Sequence, residues 1–341
     1  MNIDITYRDS DSKTVVQWKQ WSERTANGLW EGDQDHSIGV SPVDTIIGVG
    51  TENAKFFTCL DFTIASDTLF IIDDTKEQLV CMGIDGTVYW RYGEPGEGPG
   101  HFAGLNSVSI GPGWVVVGEA YGSNIEILSR SGELIRNISF QNPNDLITIN
   151  DTTFAVLSRI SDGGDIHVFS INSGYLTSFG SGDWQNQRSY WNTELYGLYM
   201  LANSCVFAVS QFENQLYRYS LEDTLTSTNL AKEYPAEIPQ QEATSEGIRV
   251  YPILGSPFIG PEGMVNVHLG GMGFNTDGCV ISNQDETRIP VTIIDRYNPT
   301  GQYLDSYCIP CEDLITQVVY SQEYGFLCSI YDLGIIIQYE H

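Results

Sequence analysis

Nine side chains carry the chemistry this sequence offers: Asp73, Asp74, Glu119, Tyr121, Arg159, Gln211, Glu213, His268 and Asp332. Each ends, or closely follows, a short apolar run, so a chain built from repeated strands would bring them out on one face. Carboxylates converging with an imidazole are the donor set of a metal site: oxygen ligands suit Ca²⁺, and a tetrahedral set containing His suits Zn²⁺. The same groups beside a tyrosine also make an ordinary ligand-binding face. Each acid has a plainer role too, since an Asp at a strand end can accept hydrogen bonds from the backbone N–H groups of its own loop.

Other spacings are less productive. The five histidines are His36, His101, His167, His268 and His341. Only His101 and His268 fall where they could face the same end, and no third zinc ligand can be assigned to them. Cys308 and Cys311 have the C-x-x-C spacing, but no helix follows to lower a thiolate pKa and no second pair exists, so a local disulfide or two free thiols is expected. The Gly-rich stretch 93–100 lacks the Lys of a phosphate loop and precedes a strand, so it is expected to be structural. No Gly-x-Ser-x-Gly marks a nucleophile elbow.

Whether the nine side chains can converge depends on the elements that carry them. The 341 residues include 34 Gly and 19 Tyr, and 41% are hydrophobic, the composition of a folded soluble chain. Strand-like runs rich in Val, Ile, Phe and Tyr continue from about residue 43 onward with no convincing 3.6-residue period, so the class is all-β. One pattern recurs: three strands, a Gly-containing hairpin turn, and a fourth strand. The turns at Asp85-Gly86, Ser131-Gly132, Ser173-Gly174 and Thr300-Gly301 mark four copies. A fourth copy in chain order has Glu222-Asp223 instead, and the spacing is that of propeller blades.

The last copy has three strands, ITQVVYS, YGFLCSI and GIIIQYE. Its missing fourth strand is available at 43–50, VDTIIGVG. Pairing the two would close a ring of six four-stranded antiparallel blades and leave no free edge on that blade. The expected organisation is an N-terminal extension at 1–40, with its segment 28–39 read as loop, and a six-bladed β-propeller at 41–341. The stretch 271–288 is read as a long loop of the fifth blade, and 231–288 is long enough to hide further strands.

Residues 69–102, LFIIDDTKEQLVCMGIDGTVYWRYGEPGEGPGHF, resemble the NHL repeat: an apolar strand ending in Asp, a polar loop, a second apolar strand, an Asp-Gly turn, and Gly-x-x-Gly-x-Gly-Pro-Gly-x-Phe. The motif match is specific in this blade, and the others follow by spacing. The resemblance is to bacterial six-bladed propellers, and it implies a fold more than a function. Related six-bladed folds include metal-dependent lactonases and a zinc-dependent lyase, whose metals sit at the channel mouth.

Charge removes one class of partner. Sixteen basic against 44 acidic residues give a formal charge of −28, spread along the chain with no basic cluster, so nucleic acid is not an expected partner. No apolar run is long enough to span a bilayer, and the first thirty residues do not read as a signal peptide. Proteins of the resembling kind are often exported, which leaves the compartment open. Seven cysteines, five of them singly within apolar runs, read as buried thiols. Since no complete catalytic set can be assembled, the expected function is a propeller that binds a protein, peptide or small ligand on its loop face. The alternative is a lactonase-like metal-dependent hydrolase or lyase, with ligands drawn from Asp73, Glu119, Glu213, Asp332 and His268. The sequence names no cofactor.

Overall fold

The computed structural model describes residues 37–47, 55–158, 166–179, 195–201, 205–210, 215–220, 225–229, 241–244, 247–250, 257–269, 272–274, 280–282, 291–310, 315–330 and 334–340. Among them strands dominate, the one helical turn is the 3-10 segment Pro261–Gly263, and no helix is long and apolar enough to cross a membrane.

Five sheets are four-stranded and antiparallel. The first holds Asp61–Ala65, Thr68–Asp73, Gln78–Gly83 and Val88–Tyr92 in that spatial order. The second (Leu105–Ile110 to Leu134–Ser139), third (Pro143–Asn150 to Gly174–Phe179) and fourth (Leu195–Leu201 to Leu225–Asn229) repeat the arrangement. The sheet nearest the C-terminus holds Ile315–Ser321, Gly325–Ile330 and Ile335–Glu340, with Ser41–Ile47 as its fourth strand, antiparallel to Ile335–Glu340 with Ile47 opposite Ile335. These are the blades of an all-β propeller.

The expectation of six four-stranded blades is corrected: five sheets are four-stranded. The stretch 257–310 forms a five-stranded sheet: Pro257–Ile259, Val265–Leu269, Val291–Tyr297 and Tyr303–Pro310 are antiparallel, and Ser37–Gly39 adds in parallel to the outer edge. Residues 37–39, read as loop, are therefore a strand. The segment 271–288 is not a bare loop either, since Met272–Phe274 pairs with Val280–Ser282. A second hairpin joins Gln241–Thr244 to Gly247–Val250. Strands of three or four residues leave little alternating apolar pattern to read.

The strands form where the sequence says because their two faces are both buried. In the first sheet Leu69 and Ile71 pack toward Leu327 and Ile336 of the C-terminal sheet, while Phe70 and Ile72 pack toward Val115 and Val117 of the second. Trp114, Val116 and Ile127 in turn meet Phe154, Val156 and Phe169 of the third sheet. The core is thus a series of apolar layers between sheets, each buried aliphatic or aromatic side chain contributing about 1.5–3 kcal/mol. Second and third strands consequently read as continuous apolar runs, whereas fourth strands such as Val88–Tyr92 alternate between half-buried and exposed.

The hairpin turns are placed as expected. Gly86, Gly132, Gly174 and Gly301 have φ of 82°, 86°, 88° and 89°, the left-handed region where a side chain would be strained. The Glu222-Asp223 turn lies outside the described residues.

Candidate functional site

Second strands end on the face that carries the loops, and there the chain does something repetitive with its polar side chains. Asp73 Oδ2 accepts from Phe57 N–H at 2.8 Å, and its Oδ1 lies 3.2 Å from the Thr58 hydroxyl. Glu119, at the same position of the second sheet, accepts from Ala103 N–H at 2.5 Å and from the Asn124 amide at 3.1 Å. Ser158, at that position of the third, inverts the polarity and donates to Gln141 C=O at 2.9 Å. Each side chain ties the end of a second strand to the backbone that leads into the first strand of the same sheet. The plain role expected of Asp73 is thereby realised with a different partner, a segment upstream instead of its own loop.

A half-buried acid, Glu77, and a buried one, Glu126, continue the pattern between sheets. Glu77 accepts from Gly104 N–H (3.0 Å) and Leu105 N–H (2.7 Å), joining the first sheet to the second. Glu126 accepts from Tyr92 OH (2.8 Å), Gly100 N–H (3.1 Å) and the Asn137 amide (3.0 Å), which pins the Gly-rich stretch 93–100. That stretch is structural, as expected. Glu94–Pro95 pairs in parallel with His101–Phe102, and a Cβ on Gly93 would stand 2.6 Å from the Phe102 ring.

A third set lines the axis along the first strands. Asp61 accepts from Val108 N–H of the second sheet (2.9 Å), from the Gln317 amide of the C-terminal sheet (2.9 Å), and from Phe62 N–H (2.8 Å). Asn106 donates to Asn144 C=O at 2.9 Å, and Thr148 N–H donates to Ser109 Oγ at 2.9 Å. Burial, with the Asp145 carboxylate nearby, pushes the Asp61 carboxyl up to about 8. These contacts stitch neighbouring first strands together around the centre.

The structure separates the nine expected residues into groups. Asp73 and Glu119 are buried and engaged by backbone donors; burial pushes Glu119 above the ordinary carboxylate range, against the pull of Ala103 N–H and Asn124. Asp74 is exposed beside Thr58. Tyr121 is 85% exposed. His268 does not reach the face: it is 1% exposed within the five-stranded sheet, both ring nitrogens lack a hydrogen-bond partner, and burial pushes it down to about 3, so the ring is neutral. Arg159, Gln211, Glu213 and Asp332 lie outside the described residues. Among the described residues no three His, Cys, Asp or Glu side chains are grouped to hold a metal. His101 pairs with Glu94 at 2.9 Å, and His167 is buried against Phe140.

What sequence reasoning missed is apolar. Phe57 (39% exposed) and Leu60 (37%) stand on the same face as Tyr121. Lys76 Nζ lies 4.4 Å from the Phe57 ring centroid, and the Tyr121 ring lies so close over Gly104 that a side chain there would collide with it. The signal was available: Phe56 and Phe102 are buried at matching places before the first strands, and Phe57 follows where the second sheet has Ala103.

No protein-family model matches the chain, the NHL repeat included, and no curated protein sequence matches it. Solved structures do share its fold. They include a member of the DUF4221 family from Bacteroides vulgatus, with a TM-score of 0.58 at 10% identity over 90% of this chain and 99% of that one. Virginiamycin B lyase from Staphylococcus aureus has a TM-score of 0.52 at 13% identity, covering 91% and 96%. The hydrazine synthase of Kuenenia stuttgartiensis has 0.55 at 11%, covering 85% and 97%. At such identities the likeness is one of fold.

Proposed function

We propose that this propeller is a binding protein that takes a peptide, protein or small ligand on its loop face, around Phe57, Leu60 and Tyr121. The observation that supports it is a division of labour on that face. The buried acids Asp73 and Glu119 and the half-buried Glu77 are engaged by backbone N–H groups, while three large apolar side chains beside them stay exposed. Exposed apolar groups on a scaffold held this firmly are the usual mark of a recognition surface. The exposed side chains of the outer strands, Tyr89, Leu134, Ile135, Tyr175 and Leu176, fit the bland reading of single apolar residues on amphipathic edge strands.

The ring that supports this face is read as six blades, with the five-stranded sheet as the sixth. First strands abut in the cyclic order 61–65, 105–110, 143–150, 195–201, 257–259, 315–321 and back to 61–65. Pairing of Ser41–Ile47 with Ile335–Glu340 then closes the circle.

The rival reading, a metal-dependent hydrolase or lyase, draws support from the fold shared with a lyase. Thermal-shift screening against peptides and small molecules decides between them. Ligands whose shifts vanish in Phe57→Ser/Tyr121→Ala protein and persist in Tyr89→Ser protein are the expected result. A stoichiometric metal whose removal by EDTA lowers Tm, with ligand shifts indifferent to Phe57 and Tyr121, overturns the binding reading in favour of the metal centre.

A further inference from the structure

Resting on that reading of the loop face, we propose that its ligand is a lysine- or arginine-bearing peptide segment. Phe57 already presents its ring to a cation from its own chain, with Lys76 Nζ 4.4 Å from the centroid, the geometry of a cation–π contact. Lys76 is itself exposed, so it stands where a partner's cation would go instead of filling a buried socket. Phe57 is joined to Tyr121 by a short path across the face. Lys76 precedes Glu77, Glu77 accepts from Gly104 N–H at 3.0 Å, and the Tyr121 ring lies over Gly104. A second aromatic ring is therefore offered one sheet away, and a ligand that touches both must be long enough to cross from the first sheet to the second. An extended peptide meets that requirement.

Charge argues the same way. Asp74 is exposed and reaches Phe57's neighbour Thr58, and Glu94 and Glu97 are exposed in the crossing segment on this face. The chain as a whole carries −28, so an acidic ligand is repelled and a basic one is drawn in before it touches. Aromatic faces bordered by carboxylates favour a side chain with a long apolar stem and a cationic head, which is the shape of Lys and Arg.

The test uses the full chain and two labelled peptides read by fluorescence anisotropy: lysine alternating with leucine, and the matched peptide with glutamine at every lysine position. The lysine peptide is expected to bind about tenfold or more tightly than the glutamine peptide. Tyr121→Ala and Asp74→Asn each weaken it several-fold, and Lys76→Met tightens it about threefold by freeing the Phe57 ring. Glu133→Gln, exposed at a hairpin turn away from the site, leaves it unchanged and reports non-specific attraction. Equal binding of both peptides, still lost in Tyr121→Ala, overturns the cationic ligand and leaves the loop-face reading standing. Lysine-peptide binding that is indifferent to Tyr121→Ala and Lys76→Met overturns the proposal, and if no ligand of any charge responds to Tyr121→Ala the loop-face reading falls as well.

Discussion

Asp73 and Glu119 do the same thing in successive sheets: each ends a second strand and accepts from a backbone N–H sixteen residues upstream, that of Phe57 and of Ala103. Removing either carboxylate leaves a part-buried backbone donor without its acceptor, which costs about 1 kcal/mol. Asp73→Ala and Glu119→Ala are therefore expected to lower stability by that amount in urea unfolding without altering strand content by circular dichroism. A change below about 0.5 kcal/mol in both would show that water replaces the lost acceptor.

The layers between sheets make a sharper contrast. Phe70 is buried between the first and second sheets, whereas Tyr89 is exposed on an outer strand. Phe70→Ala is expected to cost about 3–5 kcal/mol, and Tyr89→Ser about 0.5 kcal/mol or less. Chemical denaturation of the two variants checks the assignment of core and rim.

Stability should fall with rising pH through the Asp61 site. Its carboxyl is held up to about 8 by burial and by Asp145, far above the range of an unfolded chain. The folded state therefore keeps a proton that the unfolded state releases. The associated stability is complete below the unfolded pKa, erodes as pH rises through the window, and is gone above about 8. Asp61→Asn removes this titration, so its Tm should decline less steeply than wild type between those limits and exceed it at the alkaline end. Burial of Glu119 contributes a slope of the same sign, so the variant's profile is shallower but not flat. Parallel profiles for the two proteins would contradict the assignment.

The thiols offer a count. Of seven cysteines, Cys59, Cys81 and Cys205 are free thiols, and they and Cys328 are buried. Burial raises Cys59 well above its ordinary value and Cys81 to about 11, so neither supplies thiolate at neutral pH. Native protein should leave these four unreactive toward a disulfide reagent and release them only in denaturant. Fast reaction of Cys81 in the native state would show that the first two sheets separate readily.

Much of the scaffold was legible because its signals are local. Gly86, Gly132, Gly174 and Gly301 announce their turns, and runs such as TLFIID announce strands buried on both faces. The site was less legible, since Asp73 and Glu119 look alike whether they face a ligand or hold a backbone donor, and only the fold reveals which. His268 misled for the same reason: its place at a strand end says nothing of its burial within the five-stranded sheet. The added strand Ser37–Gly39 carries too few residues to show a period.

The pairing of Ser41–Ile47 with Ile335–Glu340 sets a timetable for biosynthesis. Ser41–Ile47 emerges from the ribosome well before Ile335–Glu340, its partner far downstream in the sequence. At about 5–20 residues per second the wait is on the order of tens of seconds. Throughout that interval Ser41–Ile47 is an orphaned ladder of donors and acceptors, open to pairing with a neighbouring nascent chain, so the protein's vulnerability to misassembly is greatest until Ile335–Glu340 has been made and can pair.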